Sequence, residues 1–260
     1  MDTGNESCPL TTGDSTTATT VTIATRRKKR RNRRARPLAH PTNATLIGAV
    51  AIRALRFLFP KGVFTARIGF PAIVACRIIA TATFLGVDSF IPLAADRVHG
   101  ARPLVQGFVI IGAALSWTIG QWVRAHGSID RPDRAVRTGF IVLAVGIALV
   151  TPVLWSGWPL WATFAGWSVG GLGMGLLFNP TTVATMAYAT PGTEGKVSSQ
   201  LTLGDALGFS MMGGIGGAMV AVADRTSLSI AGALGISFGL AFCLAILGVV
   251  ASTRIRAAPS

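Results

Sequence analysis

From residue 68 onward the chain alternates long apolar runs with short polar links. A helix needs about 20 mainly apolar residues to cross the hydrocarbon core of a bilayer. Runs that reach or approach that length lie at 70–93, 104–123, 138–154, 160–187, 199–222 and 228–252. They are too long and too unalternating for barrel strands, and an open sheet would leave backbone amides unpaired in lipid. The pattern predicts an all-α membrane protein, a bundle of six transmembrane helices over 68–253, with 254–260 as a short tail.

The links carry the charge that orients the bundle. Arg124, Arg131, Arg134 and Arg137 follow the second run, Lys196 lies between the fourth and fifth, and Arg254 and Arg256 follow the sixth. Only Arg97, Arg102 and Arg225 fall on the opposite side. The positive-inside rule then predicts a multi-pass protein of the cell membrane with both termini cytoplasmic. Trp155, Trp158 and Trp161 at the outer third-to-fourth turn, and Trp122 at the inner end of the second run, sit where interfacial rings are favoured.

The first 42 residues differ in kind. Thr and Ser dominate as far as Thr25, and Arg26 to Arg36 then holds nine of the 24 Lys and Arg residues, so a disordered basic tail is expected. Arg53 and Arg56 interrupt the apolar stretch 46–52, which argues against a secretory leader. Segment 43–67 reads as an amphipathic juxtamembrane piece or as the end of a lost helix.

Composition narrows the function classes. Half the residues are hydrophobic, 13% are charged and the mean hydropathy is +0.55, against about 25% charged in a soluble domain. Cys8, Cys76 and Cys243 have no metal-ligand spacing, and His40, His99 and His126 flank no nucleophile and form no zinc-helix pattern. No catalytic constellation, metal or cofactor is expected, and the chain does not read as an enzyme. The basic run suits anionic lipid, at about 1 kcal/mol per residue near the surface. Without interleaved aromatics it gives little reason to expect a nucleic-acid partner. A lead with no role stays open.

Charged side chains inside the membrane are the sharpest pointers to function, because they face a cavity or a partner. Arg77, Asp88 and Asp205 qualify. Arg77 and Asp88 share a helix face but stand roughly 16 Å apart along the axis, so they do not pair. Arg77 and Asp205 each lie about 10 Å inside the basic end of their runs, at 1.5 Å per residue. A pair between the first and fifth runs is expected, serving as a proton or substrate site or as a structural tie between helices. Asp88, near the outer end of its run, either lines a cavity or meets the interface. Gln106, Ser116, Gln121 and Asn179 are candidates for contact with a small molecule, or for bridging helices. Pro180 should break one backbone bond late in the fourth run.

Glycines four apart place small residues on one helix face and let backbones approach. The pairs are Gly166 and Gly170, Gly171 and Gly175, Gly204 and Gly208, Gly213 and Gly217, and Gly235 and Gly239, so the fourth to sixth runs are expected to pack tightly. A nucleotide loop at Gly171–Gly175 is disfavoured, since its third glycine would fall on Leu176 and no strand precedes it.

Several segments together resemble the C-terminal half of a major facilitator superfamily transporter, most closely the multidrug efflux branch of actinobacteria. Phe59-Pro-Lys-Gly62, Arg67-Ile-Gly-Phe-Pro71, Arg77 and Phe84-Leu-Gly-Val-Asp-Ser-Phe-Ile-Pro-Leu93 resemble its seventh helix and the approach to it. Leu115-Ser-Trp-Thr-Ile-Gly-Gln-Trp122 resembles the eighth, Gly170-Gly-Leu-Gly-Met-Gly-Leu176 the tenth, and Ser198-Ser-Gln-Leu-Thr-Leu-Gly-Asp-Ala-Leu-Gly208 the eleventh. Asp133, Arg134 and Arg137 resemble the second half of the family's loop signature, with Val136 where that signature has glycine. The antiporter glycine motif with its proline is not reproduced in the fifth run.

The resemblance covers about residues 55 to 256. It implies a secondary-active, efflux-type transporter of small molecules that needs no cofactor and is coupled to protons. Family members resemble twelve-helix proteins whose two six-helix bundles rock about a central site. Only one bundle is present here, so the expected partners are the lipid bilayer and a second bundle, as a homodimer or a partner half. A truncated or frameshifted reading frame is the expected origin of the missing half. The alternative is a non-transporting membrane remnant or scaffold with a lipid-binding tail.

Overall fold

The computed structural model describes residues 53, 59, 62–127 and 131–256. The Thr/Ser-rich lead, the basic run, Cys8, His40 and most of segment 43–67 lie outside the described residues. The chain divides into two compact units, Met1–Leu55 and Arg56–Ser260, and the elements that follow belong to the second.

The helices are α1 (Phe70–Asp88), α2 (Ile91–His99), α3 (Pro103–His126), α4 (Pro132–Val150), α5 (Leu160–Met186), α6 (Glu194–Ala223) and α7 (Ile230–Ser252). Short 3-10 turns cover Val63–Thr65 and Thr151–Leu154. Six helical segments are long and apolar enough to cross a membrane: Phe70–His99, Pro103–His126, Pro132–Leu154, Leu160–Met186, Glu194–Ala223 and Ile230–Ser252. The protein is a helical, multi-pass membrane protein, and no strand occurs among the described residues.

Proline marks several of the starts. Pro71, Pro92, Pro103 and Pro132 stand in the first two positions of α1 to α4, where the missing N–H had no helical acceptor to lose. Ser229 caps α7 by accepting from the Gly232 amide at 3.0 Å.

These starts correct three of the expected boundaries. The first span is not one helix over 70–93: α1 ends at Asp88, Ser89 and Phe90 form a turn, and α2 runs on to His99. Pro92 accounts for the break, because a continuous helix would need its absent N–H for the Asp88 carbonyl. Asp96, Arg97 and His99, expected in a link, are therefore helical. The third span begins at Pro132 rather than 138 and ends as α-helix at Val150, so Asp133, Arg134 and Arg137 lie on its first turns. α6 begins at Glu194, five residues before the apolar window.

The strongest packing is of α5 against both α3 and α4; α1 packs on α6, α7 and α5, and α7 bridges to α4. Trp167, Phe140, Phe238, Leu143, Ile147 and Leu234 are fully buried between these helices. Two ties hold the ends. At one end His99 Nε2 lies 2.7 Å from the Val153 carbonyl. At the other the Gly69 amide donates to the Arg254 carbonyl at 3.1 Å, and Arg254 Nη1 donates to the Thr65 carbonyl at 2.9 Å.

Lipid is as apolar as leucine, so helices in a membrane associate through close packing rather than water exclusion. The glycines of α5 permit it. A Cβ at Gly171 would run into the Ala113 carbonyl, and one at Gly175 into the Trp117 carbonyl, both on α3. Gly166 meets α4 at Leu149, and Gly204 and Gly208 meet α1 at Ile78. Gly170 is approached by Gly146 of α4. Gly120, Gly139, Gly146 and Gly173 make equally close approaches without belonging to the expected pairs. Gly213, Gly217 and Gly239 correct the expectation: no described atom lies within 4 Å of where a Cβ would stand.

α3 and α6 are the least covered spans. Only 22% of the most apolar stretch of each is buried, against 72% in the first span. On α3 the exposed Leu104, Phe108, Ile111, Leu115, Ile119 and Trp122 recur at intervals of three and four, forming one apolar stripe.

Candidate functional site

Arg77 on α1 is buried between α5 and α6, with 3% of its surface exposed. A guanidinium there needs both a counter-charge and acceptors for its N–H groups. Asp205 on α6 supplies the charge through two parallel bonds, from Nε to Oδ1 at 2.6 Å and from Nη2 to Oδ2 at 3.0 Å. This fork-on-fork arrangement is the strong geometry for the pair. It is the contact expected from the matched depth of the two residues.

α5 supplies the acceptors. Arg77 Nη1 donates to the Phe178 carbonyl at 2.9 Å and lies 3.1 and 3.2 Å from the hydroxyls of Thr181 and Thr182. Those hydroxyls direct their own hydrogens to the Phe178 carbonyl, at 2.7 and 3.1 Å, which leaves lone pairs for Arg77. The guanidinium carbon also sits 3.3 Å from the centre of the Phe178 ring, a cation–π contact in a desolvated setting. α5 remains helical through Pro180.

Thr81, one turn after Arg77, is shared between two acceptors. Its hydroxyl lies 2.7 Å from Asp205 Oδ1 and 2.8 Å from the Arg77 carbonyl. One hydroxyl hydrogen serves either the carboxylate or the backbone. The Asp205 side chain keeps 29% of its surface exposed while that of Arg77 keeps 4%, so the acid is the less covered member of the pair.

Asp88 does not contact Arg77. Its Oδ1 accepts from Trp167 Nε1 at 2.7 Å, and a ladder of rings fills the gap between the two charged residues. Trp167 stacks on Phe84 with centroids 5.1 Å apart. Phe84 meets Trp117 edge-on at 5.2 Å, and Trp117 meets Phe178 at 5.1 Å. Phe178 then touches Arg77. The Trp117 indole N–H is buried in this ladder with no hydrogen-bond partner among the described residues.

The remaining candidates separate. Gln106 donates to the Ala101 carbonyl at 2.7 Å, and Ser116 donates to the Ala113 carbonyl at 3.0 Å, so both are engaged by nearby backbone. Gln121 and Asn179 do come together, with Asn179 Nδ2 3.3 Å from Gln121 Oε1. Both line a cavity of about 480 Å³ at the basic end of the bundle. Asp133 pairs with Arg131 at 3.3 Å, and Arg134 and Arg137 are exposed on α4. Cys76 is a buried free thiol and Cys243 an exposed one. No group of His, Cys, Asp and Glu among the described residues is arranged to hold a metal ion.

Phe178, Thr81, Thr181 and Thr182 complete the site and carry no charge signal in the sequence. Thr81 alone was discoverable, because it follows Arg77 by four residues and so shares its helix face.

No protein-family model matches the chain. Two curated proteins of Mycobacterium tuberculosis, from strains CDC 1551 / Oshkosh and ATCC 25618 / H37Rv, are similar to it. Each is named "Probable multidrug-efflux transporter" and is 26% identical over 172 residues. The alignment covers 64% of this chain and 36% of each relative, so the chain spans little more than a third of the length of the curated relatives it matches.

Proposed function

We propose that the chain is one six-helix half of a secondary-active, efflux-type transporter of small molecules, of the major facilitator kind, and that it works against a second bundle. The bilayer is the cell membrane and the basic end faces the cytoplasm, as the bias of Arg and Lys favours. The observation that carries the reading is the ion pair of Arg77 and Asp205, inside two membrane-spanning helices, with the acid the less covered partner. Intramembrane acids of this sort mark substrate or proton paths. Protonating Asp205 releases its hold on Arg77, and the Thr81 hydrogen then turns to the Arg77 carbonyl, 2.8 Å away. Proton binding is thereby coupled to the contact between α1 and α6. The similarity to proteins named as multidrug-efflux transporters supports the substrate class.

Ethidium efflux from cells producing the full chain tests this. The expected result is export that Asp205→Asn abolishes and Asp205→Glu partly restores. Equal efflux by the wild type and Asp205→Asn would remove the coupling role.

In a second reading, a membrane scaffold without flux, the open faces of α3 and α6 meet lipid and no second bundle. Cysteine crosslinking in native membranes separates the two readings. A disulfide-linked dimer or heteromer through Gly213→Cys supports the transporter half, and an uncrosslinked monomer supports the scaffold.

A further inference from the structure

We propose that the cavity at the basic end of α3 and α5 binds the phosphate of an anionic phospholipid, with Arg124 and Arg256 as the guanidinium clamp. This site is separate from the Arg77–Asp205 pair. Its volume of about 480 Å³ is in the range of built ligand sites. Gln121, Arg124, Asn179 and Arg256 supply its polar lining, and Val183 and Ala187 are part of its apolar wall.

The charges around the cavity favour an anion. Arg124 comes from the last turn of α3 and Arg256 from the residues after α7. Neither has an acid partner among the described residues. The Arg124 Nε is buried with no hydrogen-bond partner there, which is costly for a guanidinium N–H until an acceptor arrives. From α4, Pro132 lines the cavity, and the adjacent Asp133 is already paired with Arg131 at 3.3 Å. α5 contributes no charged residue. The joined amides of Gln121 and Asn179 retain further N–H groups.

The apolar wall decides between a free anion and a lipid. Val183 on α5 stands one turn deeper than Ala187, which caps that helix, so a chain laid along that wall descends toward the bilayer core from a phosphate held at the helix ends. A soluble phosphate makes no use of Pro180, Val183, Ala184 or Ala187. A phospholipid uses both halves of the site, and its phosphate pairs with guanidinium groups in their preferred geometry.

The test uses the full chain in phosphatidylcholine nanodiscs doped with phosphatidylglycerol that carries a diazirine on its acyl chain. Illumination and peptide mass spectrometry read the adduct at Val183 to Ala187. The basic run attracts anionic lipid in every variant, so the site-specific adduct is the readout rather than total lipid bound. In the wild type the adduct forms with phosphatidylglycerol and not with an equally labelled phosphatidylcholine. It falls at least about tenfold in the Arg124→Gln, Arg256→Gln double variant, as losing two charge-assisted contacts requires. The Arg124→Lys, Arg256→Lys variant, which keeps the charge, retains part of it. Equal labelling by the two lipids, or an unchanged adduct in the Gln variant, would overturn the proposal. Loss of the adduct on adding inorganic phosphate would assign the site to a soluble anion and overturn the lipid.

Discussion

Arg77 and Asp205 meet through two parallel hydrogen bonds across 128 residues of sequence, joining the first and fifth spans inside the membrane. Breaking such a pair from one side strands a buried charge and costs more than removing both partners. Asp205→Ala should therefore lower the stability of the detergent-solubilised chain by about 3 kcal/mol, the low end for a buried pair because the acid is partly exposed. Arg77→Leu combined with Asp205→Leu should recover most of that loss. Thermal unfolding followed by tryptophan fluorescence checks it, and a double variant as unstable as the single one would show that the pair is not a closed unit.

Glycine spacing does not by itself reveal where the backbones touch. Gly171→Leu and Gly175→Leu push a side chain into the α3 backbone, and each should cost about 1 to 3 kcal/mol by overpacking. Gly213→Leu and Gly217→Leu point where no described atom stands within 4 Å and should leave unfolding of the isolated bundle unchanged. The same thermal scans compare the four variants. Equal destabilisation by all of them would contradict the packing described.

The Asp88–Trp167 bond separates from the ring stack by substitution. Trp167→Phe keeps an aromatic ring against Phe84 but removes the N–H donor to Asp88, 2.7 Å away. Leaving a buried acceptor without its donor costs about 1 to 3 kcal/mol, so the variant should lose that much. Trp167→Phe made in an Asp88→Leu background should lose far less. Chemical denaturation of the four combinations checks the coupling.

Most of the bundle was legible because hydropathy reports what a bilayer demands, namely apolar length. The breaks were less so, because they depend on hydrogen bonding rather than on polarity. Pro92 sits inside an apolar run and yet ends the helix behind it by leaving the Asp88 carbonyl without a donor. Pro132 opens α4 six residues before the apolar window, in a segment too charged to register as membrane. The pairing of Arg77 with Asp205 was readable from depth alone. Its support by Phe178, Thr181 and Thr182 was not, since uncharged residues on a third helix show no sign of which neighbour they face. Gly171 and Gly213 begin the same four-residue motif, but only the first has a helix opposite it.

Proton movement driven by substrate separates an Asp205 that couples transport from one that only ties two helices together. The full chain is reconstituted into proteoliposomes with a pH-sensitive dye inside, and an ethidium gradient is imposed. Ethidium-dependent proton flux is expected from the wild type, with loss of that flux in Asp205→Asn and partial return in Asp205→Glu, the helical spectrum being retained throughout. Undiminished flux in Asp205→Asn, or no ethidium-dependent flux by wild type reconstituted as its crosslinked dimer, would contradict proton coupling through Asp205.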